Sequence, residues 1–104
     1  MTTNPLLRGL KPTHPGELLR EDVLPAIGKP KTEIATLLGV SRQTLYDILG
    51  ERQPVTPEMA LRIGKLTGTT ADSWLRMQNG FDLRAAEDKI GKEVAKIPTL
   101  EAAA

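Results

Sequence analysis

The sequence predicts an all-α fold, and three observations lead to that class. Apolar residues recur every three or four positions through most of the chain, the spacing that gathers them on one face of a helix. Ser, Thr or Pro precedes several of these segments and Gly follows them, as at helix starts and ends. No segment alternates apolar and polar residues as a half-buried strand would. We therefore expect a compact five-helix domain with an additional C-terminal helix.

Length and composition indicate a single soluble domain. The chain has 104 residues, no cysteine and a net charge of +1. Disulfides and thiolate metal sites are thereby excluded, and a reducing compartment is favoured. No run approaches the ~18 apolar residues of a membrane span, and the start lacks the apolar core of a signal peptide. We expect a cytoplasmic protein that does not bind membranes.

The charge balance gives weak support to nucleic-acid binding. The sequence pI of about 8.1 lies below the value of ~9 that marks an overtly basic binder. Residues 1–68 carry nine basic and seven acidic side chains, whereas residues 69–104 carry five and six. Any attraction to phosphate therefore belongs to the first two-thirds of the chain.

The chain begins with an expected flexible arm, residues 1–13, which contains two prolines, a glycine and no periodicity. The first helix should begin near His14, because Pro15 suits the first helical position. Pro25 disfavours α geometry at Leu24, so the helix should stop or kink there.

The segment from Lys31 to Glu51 is typical of a helix-turn-helix motif. Two short amphipathic helices are joined by Gly39-Val40-Ser41, where Gly39 suits a positive φ angle and Ser41 an N-cap. Ala35 is small enough for the two helices to cross closely. The expected buried residues are Ile34 and Leu38 in the first helix and Leu45, Ile48 and Leu49 in the second.

Two more helices complete the expected domain, residues 14–82. Thr56 should cap the fourth helix and Gly68 should end it. Thr70 should cap a fifth segment, which Asn79-Gly80 should break. An amphipathic C-terminal helix is expected over residues 83–97, and a disordered tail over residues 98–104.

The outer face of the second motif helix predicts contact with DNA. In a helix-turn-helix this helix lies in the major groove with its N-terminal residues toward the bases. Arg42 can bind guanine O6 and N7, and Gln43 can bind adenine N6 and N7. Tyr46 can pack on a thymine methyl or donate to phosphate, and Asp47 can accept from cytosine N4 or restrain Arg42. The alternative is a structural hairpin whose outer face is merely solvated.

The remaining DNA contacts are expected to position the protein without specifying sequence. The full set of predicted DNA-binding residues is Lys31, Thr32, Ser41, Arg42, Gln43, Thr44, Tyr46, Asp47 and Arg52. Because one helix reads only a few base pairs, the protein should bind as a homodimer to two half-sites ~34 Å apart or a multiple of that.

A second surface is expected near the C-terminal end, for a dimer or another protein partner. Aromatic residues dominate interface energetics, yet the same residues could close the domain's own core, and both roles stay open. The stripe from Leu83 to Ile97 could likewise cover a partner or fold back on the domain. The candidate interface residues are Trp74, Leu75, Gln78, Phe81, Leu83, Ile90 and Val94.

Enzymatic function is not expected. The chain has no cysteine nucleophile and no Gly-rich phosphate loop, and its one histidine, His14, suits a helix start. Adjacent carboxylates such as Glu21 and Asp22 point to different helix faces and do not form a converged pair. We predict no catalytic residue, no cofactor, no metal site and no small-molecule substrate.

Several segments resemble a known family. The motif core resembles repressors of the Cro/cI (XRE) class, and the whole chain more closely resembles HigA-type antitoxins. The segments that carry the resemblance are Thr13–Glu21, Gly39–Gln43, Pro54–Arg62, Trp74–Gln78 and Phe81–Leu83. The resemblance implies a Cro/cI-like domain in a small dimeric antitoxin that blocks a HigB-type toxin, an mRNA-cleaving endoribonuclease, and represses the operon they share. The alternative is a stand-alone repressor without a toxin.

Two departures from the family pattern limit what is transferred. Lys31 stands where many Cro/cI-type domains have a DNA-contacting glutamine, so only a phosphate contact is carried over. Asn79-Gly80-Phe81 replaces a bulkier aromatic run, which affects where the fifth helix should end.

Overall fold

Residues 12–101, which the computed structural model describes, fold into five helices and contain no strand. The all-α prediction is confirmed. Most of the expected N-terminal arm and the last three residues of the expected tail lie outside the described residues. The helices are α1 (Pro15–Leu18, Leu19–Val23 and Leu24–Ile27 in succession), α2 (Lys31–Leu38), α3 (Arg42–Leu49), α4 (Pro57–Thr67) and α5 (Ala71–Val94).

Helix α1 passes through Pro25 instead of stopping before it. Its middle part, Leu19–Val23, is a π-helical turn, and the N–H of Leu24 donates to the carbonyl of Leu19, five residues earlier. Proline lacks an N–H and its ring clashes with the carbonyl four residues back. The wider π turn directly before Pro25 accommodates this defect. The helix then ends at Gly28, which has a left-handed conformation.

Helices α2 and α3 form the expected helix-turn-helix. Gly39 ends α2 with φ 75°, in the left-handed region that is costly for residues with a Cβ. Ser41 is the N-cap of α3, and its hydroxyl accepts from the N–H of Thr44 at 3.0 Å. Both local predictions are confirmed.

The core lies beneath the motif and joins all five helices. At the start of α1, Gly16 packs so closely on α3 that an added Cβ would collide with the carbonyl of Ile48. This contact fixes α1 across the back of the motif. The buried apolar residues are Leu19, Leu24, Ile34, Ala35, Leu38, Leu45, Ile48, Leu49, Val55, Met59, Ala60, Ile63 and Trp74.

Helix α5 is one continuous helix, so the predicted break at Asn79-Gly80 is wrong. The fifth helix and the additional C-terminal helix are the two halves of α5, which begins after the expected cap Thr70 and ends at Val94. Residues on both sides of the expected break have tertiary partners. Gln78 accepts from the N–H of Val55, and Phe81 packs edge-on against His14. These contacts outweigh the low helix propensity of Asn and Gly.

The beginning of α4 follows the prediction, since the Thr56 hydroxyl caps it by accepting from the N–H of Met59. None of the helices in the described part of the chain has the length and apolar character needed to cross a membrane.

Candidate nucleic-acid interface

The first turn of α3 presents a polar face away from the core. Leu45, Ile48 and Leu49 are buried on one side of this helix, whereas Arg42 and Gln43 are exposed on the other. Because the buried residues anchor the second half of α3 in the core and Ser41 caps its first turn, the exposed side chains stand on a rigid support. This is the surface that a helix-turn-helix offers to the major groove.

Asp47 is the centre of a hydrogen-bond network on the exposed side of α3. Its Oδ1 accepts from Gln43 Nε2 at 2.9 Å and from Arg52 Nε and Nη2 at 3.2 and 3.1 Å. The sequence left open whether Asp47 would accept from cytosine or restrain Arg42. Within residues 12–101 the hydrogen-bond partners of its side chain are Gln43 and Arg52, so Asp47 restrains these two residues and not Arg42.

Arg52 follows the end of α3 and folds back over it. Besides the ion pair with Asp47, its Nη2 donates to the carbonyl of Tyr46 at 3.3 Å. The guanidinium lies over Gly50, where an added Cβ would collide with it. Its side chain is still 62% exposed. Arg52 therefore neutralises Asp47, the one carboxylate of α3, and remains solvent-exposed.

The other predicted DNA contacts surround this face. Lys31 and Thr32 are exposed at the start of α2, and Ser41 is exposed at the start of α3. Thr44 is half-buried and its Oγ1 accepts from the Ser41 hydroxyl at 2.9 Å. The Tyr46 side chain is exposed one turn further along α3.

Two arginines that the sequence analysis did not select hold the motif helices in place. Arg20 Nη1 donates to the carbonyl of Leu49 at the end of α3, and Arg62 Nη1 donates to the carbonyl of Leu38 at 2.8 Å, at the end of α2. A cation at a helix C-terminus satisfies free carbonyls and interacts favourably with the helix dipole. Hydrogen bonds with Glu21 and Glu51 raise the pKa of Arg20.

Comparison with known proteins identifies the family. The antitoxin GraA is 41% identical in a solved structure that covers 88% of this chain and 100% of that chain, with a TM-score of 0.81. A structure described as the Pseudomonas aeruginosa antitoxin HigA with the higBA promoter is 33% identical, covers 86% of this chain and 99% of that one, and has a TM-score of 0.81. The chain belongs to the HigA family of antitoxins. The resemblance inferred from the sequence is confirmed.

Further relatives of this HigA-family chain point the same way. GraA in complex with its operator is 39% identical, with 96% of this chain and 98% of that chain covered and a TM-score of 0.81. The HTH-type transcriptional regulator YbaQ of Escherichia coli K12 is 34% identical over 92 residues, which are 86% of this chain and 81% of YbaQ. No protein-family model matches the chain. Because these relatives are antitoxins and regulators, the prediction that the chain is not an enzyme is confirmed.

The residues expected at a partner surface of this HigA-family protein fall into two groups. Trp74 and Gln78 are buried in the domain itself. Trp74 Nε1 donates to Thr69 Oγ1 at 2.7 Å, and Gln78 Nε2 donates to Asp82 Oδ1 at 3.0 Å. Leu75 and Phe81 are half-buried. Of the two roles left open for Trp74, the structure shows the core role.

The second group lies on the last four turns of α5. Leu83, Ile90 and Val94 are 57%, 44% and 49% exposed, which is unusual for aliphatic side chains on one face of a helix. These three residues are called the α5 stripe below. Within residues 12–101 the stripe does not fold back on the domain.

His14 links the start of α1 to α5. It is 3% exposed, its Nδ1 accepts from the N–H of Gly16 at 2.9 Å, and its ring centroid lies 4.9 Å from that of Phe81. Burial lowers the pKa of His14, and the nearby carboxylates of Glu51 and Asp82 oppose the shift. The lowered pKa favours the neutral imidazole, whose Nδ1 caps the helix. Residues 12–101 contain no group of His, Asp and Glu side chains that would hold a metal ion.

Proposed function

We propose that this chain is a sequence-specific DNA-binding antitoxin that represses its own operon as a dimer on a palindromic operator and neutralises a HigB-like, mRNA-cleaving toxin by binding it. One observation carries the proposal. The family member GraA, which matches almost the whole of this chain, has been solved in complex with its operator. The exposed first turn of α3 is the surface of this chain suited to the same task.

The residues of α3 divide into reading and positioning contacts. Arg42 makes two bonds to a guanine and Gln43 two bonds to an adenine, and Tyr46 contacts a thymine methyl or a phosphate. Phosphate contacts are made by exposed residues at the starts of α2 and α3 and by the cation that follows α3. These residues are Lys31, Thr32, Ser41, Thr44 and Arg52.

The α5 stripe supports dimerisation. Leu83, Ile90 and Val94 share one face of α5, and large aliphatic side chains in such a row mark a protein contact surface. A two-fold dimer places two copies of α3 on the same side, so that they meet successive major grooves. The half-buried Leu75 and Phe81 adjoin this surface.

A mobility-shift assay tests the DNA-binding part of the proposal. The purified chain is titrated onto the DNA fragment upstream of its own gene and onto a scrambled duplex of equal length at moderate salt. We expect retention of the upstream fragment at concentrations at least about tenfold lower, since specific binding exceeds non-specific binding by far more than that. Equal retention of both duplexes would refute sequence-specific binding.

Co-purification tests the toxin-binding part. The tagged chain is isolated from its native host. We propose that it acts there in the cytoplasm and is associated with the nucleoid when bound to DNA. A near-stoichiometric small basic companion that cleaves mRNA when freed from the chain is the expected result. Reproducible absence of such a companion would favour a stand-alone repressor without a toxin.

A further inference from the structure

Gln43 and Asp47 form a polar pair on the outer side of α3. They stand one helical turn apart, and Gln43 Nε2 donates to Asp47 Oδ1 at 2.9 Å. Gln43 is exposed, whereas the Asp47 side chain is only 27% exposed and is held from below by Arg52. Asp47 is therefore the fixed member of the pair, and its hydrogen bond holds the exposed Gln43 side chain in place.

The chemistry of this pair sets the orientation of the Gln43 amide. An ionised carboxylate only accepts hydrogen bonds, so the amide nitrogen must face Asp47 and the amide oxygen must face away from it. One N–H of the amide is used by Asp47. The amide oxygen and the second N–H remain available on the outer edge. These are one acceptor and one donor side by side, which is the pattern that adenine N6 and N7 require.

We infer that Asp47 is a positioning residue that fixes the Gln43 amide for adenine and thereby determines the specificity of one base pair in each half-site. The inference rests on the proposed function. Asp47 does not touch the base. It acts through Gln43. Its hydrogen bond prevents the Gln43 amide from rotating by about 180°, which would exchange the positions of the amide nitrogen and the amide oxygen.

Arg52 makes this role compatible with DNA. A carboxylate on the helix that enters the groove would repel phosphates, and the ion pair of Arg52 with Asp47 Oδ1 at 3.1 Å offsets this repulsion. The carbonyl of Tyr46 holds the same guanidinium in place. The charge of Asp47 is thus neutralised within the protein, while its oxygen still accepts from Gln43.

A positioning role and a merely structural role have different consequences. If Asp47 orients Gln43, then Asp47→Ala lowers the preference for adenine over the other three bases and leaves the affinity for random duplex unchanged or higher, because a negative charge is lost. If Asp47 only stabilises α3, then the substitution lowers the melting temperature and the affinity for all duplexes together.

The experiment begins with a preferred site selected by the wild-type protein from randomised duplexes. Affinities are then measured for the site with each of the four bases at the position whose preference is abolished by Gln43→Ala. Asp47→Ala is expected to reduce the preference for adenine about tenfold, within the range that one bidentate base contact contributes. Asp47→Asn can donate as well as accept, so it no longer forces one orientation of the Gln43 amide and is expected to lose part of the preference. If melting curves show that the Asp47→Ala variant is unfolded, Asp47→Ser is measured in its place.

A double-mutant cycle completes the test. In the Gln43→Ala background, Asp47→Ala should cause no further loss of affinity for the selected site, because the group that it orients is gone. An unchanged base preference in Asp47→Ala, or an equal loss of affinity for the selected site in both backgrounds, would overturn the inference. Failure of the wild-type protein to enrich any site would instead overturn the proposed function, so the two failures are distinguishable.

Discussion

Arg42 and Gln43 are the residues on which base recognition depends, because they occupy the exposed first turn of a helix whose opposite side is fully buried. Their backbone is held at both ends of α3, by the Ser41 cap and by Arg20. A rigid support of this kind means that removing one side chain deletes one contact without moving the others.

Arg42→Ala should therefore cost about 1–3 kcal/mol of binding free energy on the operator and relax specificity at one base pair. Binding to scrambled DNA should weaken much less, since non-specific affinity is shared among many phosphate contacts. Mobility shifts on both duplexes give the comparison, with Arg76→Ala as a control because Arg76 is an exposed cation on α5. Equal losses on both duplexes would contradict the assignment.

His14 should make the stability of the domain depend on pH. Its pKa is lowered in the folded state, so the unfolded chain binds the proton more readily. The stabilising contribution of neutral His14 is complete above the unfolded pKa of about 6.5 and is lost as the pH falls through the folded pKa. The free energy of unfolding, measured by denaturant titration between pH 8 and pH 5, should decrease below about pH 6.5.

The control for this pH effect is His14→Asn, which keeps an N-cap acceptor but does not titrate in this range. Its unfolding free energy should vary less with pH between 6.5 and 5 than that of the wild-type protein. If the two proteins show the same dependence, other groups account for it.

Residue by residue, the predictions succeeded where the physics is local. Gly39, Ser41 and Thr56 were recognised because a cap or a left-handed turn depends on its immediate neighbours. The contacts of Arg20 and Arg62 join residues 29 and 24 positions apart, and no local pattern reveals such pairs. The partners of Asp47 were missed for another reason, since three donors, Arg42, Gln43 and Arg52, lie within reach of it along the chain.

The turn between α2 and α3 combines two constraints at Gly39. Its φ of 75° is unfavourable for any residue with a Cβ, and an added Cβ would lie 2.7 Å from Arg62 Nη1, which donates to Leu38. Gly28 has nearly the same φ, 74°, but an added Cβ there would meet nothing within 4 Å. Substitution of Gly28 by alanine therefore measures the cost of the left-handed backbone alone. Substitution of Gly39 adds the cost of displacing Arg62.

Both Gly28→Ala and Gly39→Ala should lose about 1–2 kcal/mol of unfolding free energy from the left-handed backbone. Gly39→Ala should lose about 1 kcal/mol more, because the hydrogen bond from Arg62 is disturbed. Denaturant titration of the two variants measures the difference. Equal losses would show that Arg62 does not support the turn.

Helix α5 shows where local propensity is a poor guide. Asn79-Gly80 has the composition of a helix end, yet the positive φ of a terminating glycine occurs at Gly28, Gly39 and Gly68 and not at Gly80. The flanking contacts of Gln78 and Phe81 stabilise the helix across this point, and it remains continuous. Helix caps are read from adjacent residues, whereas helix continuity depends on packing that only the folded chain supplies.

The molecule as a whole is elongated because α5 extends beyond the domain. The dimensions are 54 × 28 × 24 Å and the radius of gyration is 17.0 Å, against about 13 Å for a compact domain of 100 residues. The extension carries the α5 stripe, whose aliphatic side chains have little to cover within the described part of the chain. A dimer built on this stripe would bury it and set the spacing between two copies of α3.

Ile90→Glu should therefore convert the proposed dimer to a monomer, because a carboxylate would be buried without a partner. Lys92→Ala gives the same change in net charge and lies about 200° around the helix from Ile90, so it should remain dimeric. Sedimentation velocity at micromolar concentrations distinguishes the two states. A monomeric wild-type protein, or a dimeric Ile90→Glu variant with unchanged stability, would exclude the stripe as the interface.

A hydroxyl-radical footprint on the selected operator tests the central claim most directly, namely that two copies of the exposed α3 face read DNA as a symmetric pair. The account predicts two equally protected half-sites related by a two-fold axis, with centres ~34 Å apart or a multiple of that. A single asymmetric patch of protection from one bound protomer, or protection spread evenly over any duplex, would contradict it.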